Sequence, residues 1–110
     1  MTPKLEDLWL PDVEAEYLAL LDVNKDVCAD VGNQFRAFDQ VLRRGVDKSW
    51  RSIDRTNSAE IYVMYGRYAL MFFAVQGMRV AVVKWTILGN EYEQSQAREE
   101  AIRRATQLFP

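Results

Sequence analysis

Acid–base chemistry in this chain would have to rest on carboxylates, tyrosines and cations, because its 110 residues include no histidine. Histidine is the usual general base near neutral pH and the commonest metal ligand, so its absence disfavours a zinc site or a Ser-His-Asp arrangement. The best-placed candidates are Glu60, Tyr62 and Lys84, which alternate with apolar residues in β-rich segments. Glu60 or Tyr62 would accept a proton and Lys84 would stabilise negative charge. The alternative is a polar cross-strand patch without a catalytic role, and we expect neither a cofactor nor a metal.

A second group of candidate residues is basic and belongs to the connector of residues 45–57 and the β-rich segments after it. Its members are Lys48, Arg51, Arg55, Arg67 and Arg79. Those in the connector surround Trp50, and cations interleaved with an aromatic ring can hold a phosphate backbone beneath a stacked base. The group therefore predicts a nucleic-acid-binding surface. The other interpretation of the connector is a loop that Trp50 and Ile53 pin to the core.

Charge is divided unevenly along the chain. Residues 45–88 carry six basic and three acidic side chains, a local charge of +3, although the whole chain has a net charge of −2. This local excess would allow an anionic partner, but a dedicated nucleic-acid binder usually has a stronger excess, so an ordinary solvated surface is the favoured explanation.

Composition bounds the class of protein. A chain of 110 residues with 49% hydrophobic content can bury a core of its own, so we expect a single domain over residues 1–110. Its one cysteine, Cys28, cannot form an internal disulfide, and its apolar runs are too short to span a bilayer. We therefore expect a cytoplasmic protein with no membrane partner.

Three segments rich in β-branched and aromatic residues, between residues 58 and 88, should position the candidate residues. They are separated by turns at Gly66-Arg67 and Gln76-Gly77, which predicts an antiparallel meander. One face of this sheet would be almost entirely apolar, and we expect the two N-terminal helices to pack on it. Its predicted members are Ile61, Val63, Tyr65, Tyr68, Leu70, Phe72, Ala81, Val83, Trp85 and Ile87. The mixed opposite face would stay open and carry the function.

Two-residue turns also predict the register of the meander. Tyr65 would lie opposite Tyr68, and Lys84 opposite Ala69. Ala69 would in turn lie opposite Met64, with Tyr62 two residues along on the same face. In this register Lys84, Tyr62 and Glu60 share a shallow open surface with room for a substrate.

Helices are predicted on both sides of the meander. Pro11 favours a first-turn position of a helix over 11–22, and a second helix should run from about 25 to 44. Asn90 starts a capping-box pattern before a final helix over 91–109, and residues 4–10 predict a weak first strand. We therefore expect an α+β fold, in which the two N-terminal helices pack on a three- to four-stranded antiparallel sheet followed by a C-terminal helix.

The second helix shows an amphipathic pattern. The predicted buried stripe consists of Cys28, Val31, Phe35, Phe38 and Leu42, at alternating spacings of three and four residues. On this stripe Cys28 would be a small core residue, not a nucleophile. Gly32-Asn33 in the middle would mark a kink or a division into two shorter helices.

The order of these elements resembles the RelE/ParE toxin superfamily, and within it the HigB-like, phage-derived branch. The resemblance is strongest from Ile53 to Ile102, through strands like Glu60–Met64 and Tyr68–Phe73 and the polar link Asn90 to Gln96 before the last helix. Proteins of this family are small toxins that cut messenger RNA on the ribosome and are silenced by a cognate antitoxin. The resemblance therefore implies the toxin component of a toxin-antitoxin system, a metal-independent, ribosome-dependent mRNA endonuclease.

The chain departs from the family pattern where members carry cations, since Met64 and Ala69 stand at positions where the family typically has arginines. A second hypothesis is therefore a catalytically inactive, protein-binding module of the same fold, which could be phage-encoded and act on a cognate or host partner. Its interface would have an apolar centre on the open sheet face, formed by Met71, Phe73, Val80 and Val82. The alternative for those four residues is that the final helix or residues 5–10 cover them.

Overall fold

The computed structural model describes residues 4–5, 10–46 and 50–110 of the chain. The elements are β1 (Lys4–Leu5), α1 (Pro11–Leu21), α2 (Lys25–Arg44), β2 (Asp54–Arg55), β3 (Glu60–Tyr65), β4 (Ala69–Gln76), β5 (Arg79–Ile87) and α3 (Glu91–Leu108). The strand order is β1-β5-β4-β3-β2, with β1 parallel to β5 and the other pairs antiparallel. The predicted α+β fold, with two N-terminal helices, an antiparallel sheet and a C-terminal helix, is confirmed. Of the predicted strand over 4–10, residues 4–5 form β1 and residues 6–9 lie outside the described residues.

Local signals in the sequence account for the ends of the helices. Pro11 occupies the first turn of α1, where its missing N–H group costs no hydrogen bond. Asn24 caps α2 by accepting a hydrogen bond from the Val27 N–H group at 2.9 Å, and Gly45 ends this helix at a φ of 81°. Asn90 caps α3 in the same way through the Glu93 N–H group. α2 is one helix of 20 residues, so the alternative of two shorter helices is wrong.

Helices cover the sheet on both faces. α1 and α2 pack on the face that includes Tyr62, Met64, Met71, Phe73, Val80 and Val82. α3 packs on the other face, which includes Ile61, Leu70, Phe72, Ala81 and Val83. The prediction that the N-terminal helices pack on the face with Ile61 and Phe72 is therefore wrong. The prediction of an open functional face is also wrong, because α1 and α2 cover that face. The mixed face is buried because its apolar residues occupy the middle of the strands.

The register between β3 and β4 is shifted by two residues from the prediction. Tyr65 lies opposite Leu70 and Val63 opposite Phe72, because the connecting loop has three residues, Gly66 to Tyr68. The predicted pairing of Tyr65 with Tyr68 is therefore wrong. A shift by an even number leaves each side chain on its predicted face, since faces alternate with a period of two.

A β-bulge changes the faces in the second half of β5. Phe73 pairs with Val82 but Phe72 pairs with Lys84, so one extra residue is inserted in β5. Beyond the bulge Trp85 pairs with Met71 and belongs to the core beneath α1 and α2. The prediction that Trp85 lies on the face with Val83 is therefore wrong, because a one-residue insertion moves the following side chains to the opposite face.

At the start of α2, the buried stripe is displaced by one residue from the predicted stripe. Val27, Val31 and Phe38 are buried, whereas Cys28 is exposed, so its predicted role as a core residue is wrong. Phe35 is half-buried and packs against the core, and the side chain of Leu42 lies outside the described part of the chain. Alternating spacings of three and four residues fit a stripe that starts at Val27 as well as one that starts at Cys28, so the spacing alone did not distinguish them.

Candidate functional site

Lys84 lies in β5 and is held by a carboxylate of α1. Its Nζ atom donates a hydrogen bond to Glu16 Oε2 at 2.6 Å, and about one fifth of each side chain is exposed. Glu16 also accepts a hydrogen bond from the Trp85 N–H group at 3.1 Å. The positive charge of Lys84 is therefore compensated within the fold.

Arg104 joins α3 to the same cluster and is only 4% exposed. Its two Nη atoms donate to both oxygens of Glu16 at 2.8 and 2.9 Å, and its Nε atom donates to Glu100 at 3.0 Å. Nη1 also donates to the Val83 carbonyl oxygen at 3.1 Å. β1, as far as it is described, pairs with Arg79 and Val80. Further along β5, Glu16 accepts from the Trp85 N–H group and Arg104 donates to the Val83 carbonyl oxygen, so these two side chains satisfy main-chain groups of the strand.

This arrangement sets the charge state of the carboxylates in the cluster. Burial alone would raise the pKa of Glu16, but hydrogen bonds from Arg104, Lys84 and the Trp85 N–H group lower it below its ordinary value. The hydrogen bond from Arg103, together with the nearby charge of Arg104, lowers the pKa of Glu100 to about 2. Both groups are therefore ionised near neutral pH and act as structural counter-ions.

A Glu16→Gln variant should lose about 1–3 kcal/mol of unfolding free energy at pH 7, because the charge that compensates Lys84 and Arg104 is removed. A carboxylate with a lowered folded-state pKa contributes stability above its unfolded pKa, and this contribution is lost as pH falls through the folded value. The difference between wild type and variant should therefore shrink in acid. Urea titrations at several pH values would measure it, with exposed Glu14→Gln on the same helix as the control. Equal losses in both variants would contradict the assigned role of Glu16.

Tyr62 and Glu60 lie together on β3, as their spacing predicts. The Tyr62 hydroxyl donates to Glu60 Oε2 at 3.0 Å, and Arg55 donates to Glu60 Oε1 at 3.0 Å. The Tyr62 ring stacks on Phe73 beneath α2, with ring centroids 5.4 Å apart. Burial and the nearby Glu60 carboxylate raise the pKa of Tyr62, whereas hydrogen bonds from Arg55 and Tyr62 lower the pKa of Glu60. Tyr62 is thus held in its protonated form.

The structure does not bring Lys84 to this pair. Lys84 lies opposite Phe72, not Ala69, and two strand spacings of about 10 Å in total separate β5 from β3. Met64 likewise lies opposite Met71, so the register on which the shared surface depended is wrong. A catalytic role for Lys84 with Tyr62 or Glu60 stays a prediction, without the geometry that motivated it.

The basic candidates are distributed over different parts of the molecule. Arg67 lies in the β3–β4 loop, with its guanidinium 5.8 Å from the Tyr68 ring centroid. Arg79 begins β5 and pairs with Gln76 at the far end of β4, which is about 25 Å from Arg67 at the usual rise of a strand. Its guanidinium lies 4.8 Å from the Phe109 ring centroid. Arg55 is paired with Glu60. These three cations therefore do not form one surface.

The connector supports the pinned-loop interpretation. The Trp50 ring packs against Phe73 with centroids 5.8 Å apart, and Ile53 packs against the core beneath α3. Arg51 is exposed, and Lys48 lies outside the described residues. Nucleic-acid binding by this group stays a prediction.

One end of the sheet exposes a group of large apolar side chains, here called the tyrosine patch. Its members are Tyr65, Tyr68, Ile87, Leu88 and Tyr92. The Leu88 N–H group donates a hydrogen bond to the Tyr68 carbonyl oxygen, and Ile87 pairs with Ala69. These contacts hold the end of β5 beside the β3–β4 loop. Tyr65 is 66% exposed and Tyr92 is 70% exposed. The predicted burial of Tyr65, Tyr68 and Ile87 is therefore wrong. Tyr65 ends β3, Tyr68 belongs to the loop, and Ile87 lies beyond the bulge at the end of β5.

Asp30 of α2 fixes the loop that carries part of the tyrosine patch. Its carboxylate accepts hydrogen bonds from the N–H groups of Arg67, Tyr68 and Ala69 at 2.8–2.9 Å, and the residue is 8% exposed. These bonds lower the pKa of Asp30, although burial alone would raise it. The Gln34 side-chain amide donates to the Ala69 carbonyl oxygen at 2.9 Å.

Gly66 is required by this contact. A Cβ atom at position 66 would lie 2.2 Å from the Gln34 amide nitrogen and 2.3 Å from an Asp30 oxygen. Sequence reasoning missed Asp30 and Gln34. Their four-residue spacing beside the apolar stripe of α2 was the available signal, because it places two polar side chains on the face that turns toward the core.

A groove of about 280 Å³ lies beside the tyrosine patch, between the sheet and the first turns of α3. Its sheet side is apolar and includes Ile53, Tyr65, Leu70 and Phe72, and its helix side includes Glu91, Gln94, Ser95 and Arg98. Arg98 donates hydrogen bonds to Asp54 and to the Ile53 carbonyl oxygen, so its charge is already paired. Gln94 and Ser95 come from the polar link on which the family resemblance partly rests.

Neither the residues of the site nor the comparisons with known proteins identify a family. No family model matches the chain, and neither the curated proteins nor the solved structures contain a match. Within the described ranges, no three residues of metal-binding type are grouped as an ion would require. The helices described above are each too short or too polar to cross a membrane. Membership of the RelE/ParE superfamily therefore stays a prediction.

Proposed function

We propose that this protein is a non-catalytic, protein-binding module and that the tyrosine patch is its interface. The observation that carries the proposal is the concentration of exposed Tyr65, Tyr68, Ile87, Leu88 and Tyr92 at one end of the sheet. Tyrosine is enriched among the residues that dominate binding energy at protein interfaces, and an apolar centre with a polar rim is the usual anatomy of such a surface. The interface predicted at Met71, Phe73, Val80 and Val82 is not available, because these residues are buried.

Charge around the patch favours a protein over a nucleic acid or an anionic membrane. Exposed Glu91 and Glu93 lie in the first turn of α3 beside Tyr92, and their carboxylates would repel phosphate groups. The complementary surface is an apolar patch with basic side chains opposite Glu91 and Glu93 and an acidic side chain opposite Arg67, which lies against Tyr68. The partner is therefore a cognate or host protein with such a surface, in the cytoplasm that we expect from the single cysteine.

The pairing of cations argues against cleavage of RNA. Such a reaction needs a proton acceptor close to positive charge that is free to stabilise the transition state. Lys84 is paired with Glu16, Arg55 with Glu60, and Arg98 with Asp54. The ribosome and messenger RNA are accordingly not partners in this proposal.

The proposal is tested first by mapping RNA ends. Purified protein is incubated with messenger RNA, with and without ribosomes, and we expect no cleavage above a no-protein control. Cuts linked to codons that require the purified protein would contradict the proposal and would favour the toxin hypothesis.

The interface itself is tested with a Tyr65→Ala/Tyr92→Ala double variant. A protein captured by the wild type is expressed separately, and its affinity is measured by calorimetry for wild type and variant. We expect at least a tenfold weaker complex for the double variant, because both rings are exposed anchors. Leu18→Ala, at an apolar residue of α1 that is 51% exposed, is the matched control and should bind like the wild type. Equal affinity of the double variant would exclude the tyrosine patch as the interface.

A further inference from the structure

The outer edge of β3 is only partly used by the fold. β2 pairs with β3 at Glu60 and Ile61 and extends no further along the strand. Among the described residues, none bonds to the main chain of Val63 or Tyr65 on this side. Within the ranges that the structure describes, the half of β3 from Val63 to Tyr65 therefore has a free edge, which is a template for pairing with another chain.

The alternation of hydrogen bonds shows which main-chain groups face outward. The Gly66 N–H group bonds to Ala69 of β4, and the Ile61 carbonyl oxygen accepts from Ile53 on the opposite side. In an antiparallel ladder these directions alternate from residue to residue. The N–H and C=O groups of Val63 and Tyr65 therefore point away from β4, toward the free edge.

The groove beside α3 lies on the same face as the Val63 and Tyr65 side chains. Val63 packs against the core beneath α3, and Tyr65 lines the groove together with Ile53, Leu70 and Phe72. A strand added at this edge would direct every second side chain to this face. At about 280 Å³ the groove is slightly smaller than a typical small-molecule pocket, and suits one or two apolar side chains.

We infer that the free edge of β3 binds an extended peptide segment of the partner protein as an additional strand. The segment pairs its main chain with Val63 and Tyr65, seats an apolar side chain in the groove, and carries a basic residue toward Glu91. Main-chain hydrogen bonds supply affinity and the groove supplies selectivity, as in other cases of strand addition. This inference rests on the proposed function and specifies how part of the partner is recognised.

The test uses a random library of twelve-residue peptides displayed on phage and selected on the wild-type protein. The best peptide is synthesised, and its affinity is measured by fluorescence polarisation. Single N-methyl groups are then placed at each peptide amide in turn. Because only every second amide of an added strand faces its neighbour, we expect at least tenfold losses that recur with a period of two. A scan without this period, or a selection without binders, would overturn the inference.

Protein variants locate the edge independently. Val63→Pro removes the outward N–H group without breaking the β3–β4 ladder, since proline is tolerated on edge strands. We expect it to bind the peptide at least tenfold more weakly, whereas Val63→Ala should retain binding. If circular dichroism shows Val63→Pro to be unfolded, slowed amide exchange of Val63 and Tyr65 in the wild-type complex replaces this measurement, and unchanged exchange would contradict the inference. Codon-linked RNA cleavage, by contrast, bears only on the proposed function.

Discussion

Replacement of Asp30 by alanine should lower the free energy of unfolding by about 3–5 kcal/mol. The carboxylate accepts three hydrogen bonds from the main chain of the β3–β4 loop, and a hydrogen bond to a charged group contributes about 1.5–3 kcal/mol without full additivity. Alanine would leave these N–H groups beside a void at the junction of α2 and the sheet. Urea denaturation of wild type and variant, with the slope of each transition compared, measures the loss.

Two further variants make this measurement specific. Asp30→Asn retains one acceptor oxygen and should lose roughly half as much stability. Asp26→Ala, at an exposed acid in the first turn of the same helix, should lose at most about 1 kcal/mol through the helix dipole. An Asp30→Ala variant as stable as Asp26→Ala would show that the carboxylate does not anchor the loop.

The pH dependence of the same comparison follows from the lowered pKa of Asp30. A group whose folded pKa is below its unfolded value stabilises the fold fully above the unfolded pKa, about 3.9 for aspartate. That stabilisation is lost as pH falls through the folded value. The advantage of wild type over Asp30→Asn should therefore be constant near neutral pH and shrink below about pH 4.

A Phe73→Ala variant should also lose about 3–5 kcal/mol, as a large truncation in a packed core does. Phe73 has no exposed surface, and its ring centroid lies 5.4 Å from that of Phe38 and 5.4 Å from that of Tyr62. On a sheet with one open face, Phe73 would contact solvent and its truncation would cost far less. Thermal and urea denaturation of the variant therefore measure whether α1 and α2 cover this face.

Phe72→Ala is the paired variant for the opposite face. Phe72 is 3% exposed beneath α3, so its truncation should cost about as much as that of Phe73. Tyr65→Ala, in contrast, should change stability by about 0.5 kcal/mol or less because its side chain is largely exposed. A loss in Phe73→Ala as small as that in Tyr65→Ala would contradict the two-sided cover of the sheet.

Local signals predicted the elements well because they act within a few residues. Pro11 and Asn90 each occupy the helix end that the sequence pattern predicts for them. The length of the β3–β4 loop was not predictable in this way. Asp30 holds the N–H groups of that loop from a helix 37 to 39 residues earlier in the chain. In the turn sequence this long-range contact shows only as Gly66, which does not identify the residues that pack against it.

The faces of the sheet were harder to assign than its strands. Both faces are apolar in the middle of the strands, so alternation alone did not say which helix covers which face. The bulge opposite Phe72 and Phe73 then moved Trp85 to the other side. Lys84 was recognisable as a strand residue, but its partner Glu16 and the Arg104 that also binds Glu16 come from helices at the two ends of the chain. The candidate site could therefore not be assembled from strand spacing.

The Asp30 contact also couples the shape of the tyrosine patch to the docking of α2. An exposed β-turn normally exchanges its amide protons rapidly, whereas here those of Arg67, Tyr68 and Ala69 are held by a buried carboxylate. They become free to exchange only when α2 separates from the sheet, which also releases the loop that presents Tyr68. Under the proposed function, the free energy of that local opening sets the fraction of molecules in which the loop presents Tyr68 for binding. Weakening a helix remote from the proposed partner would then lower the apparent affinity without removing any contact.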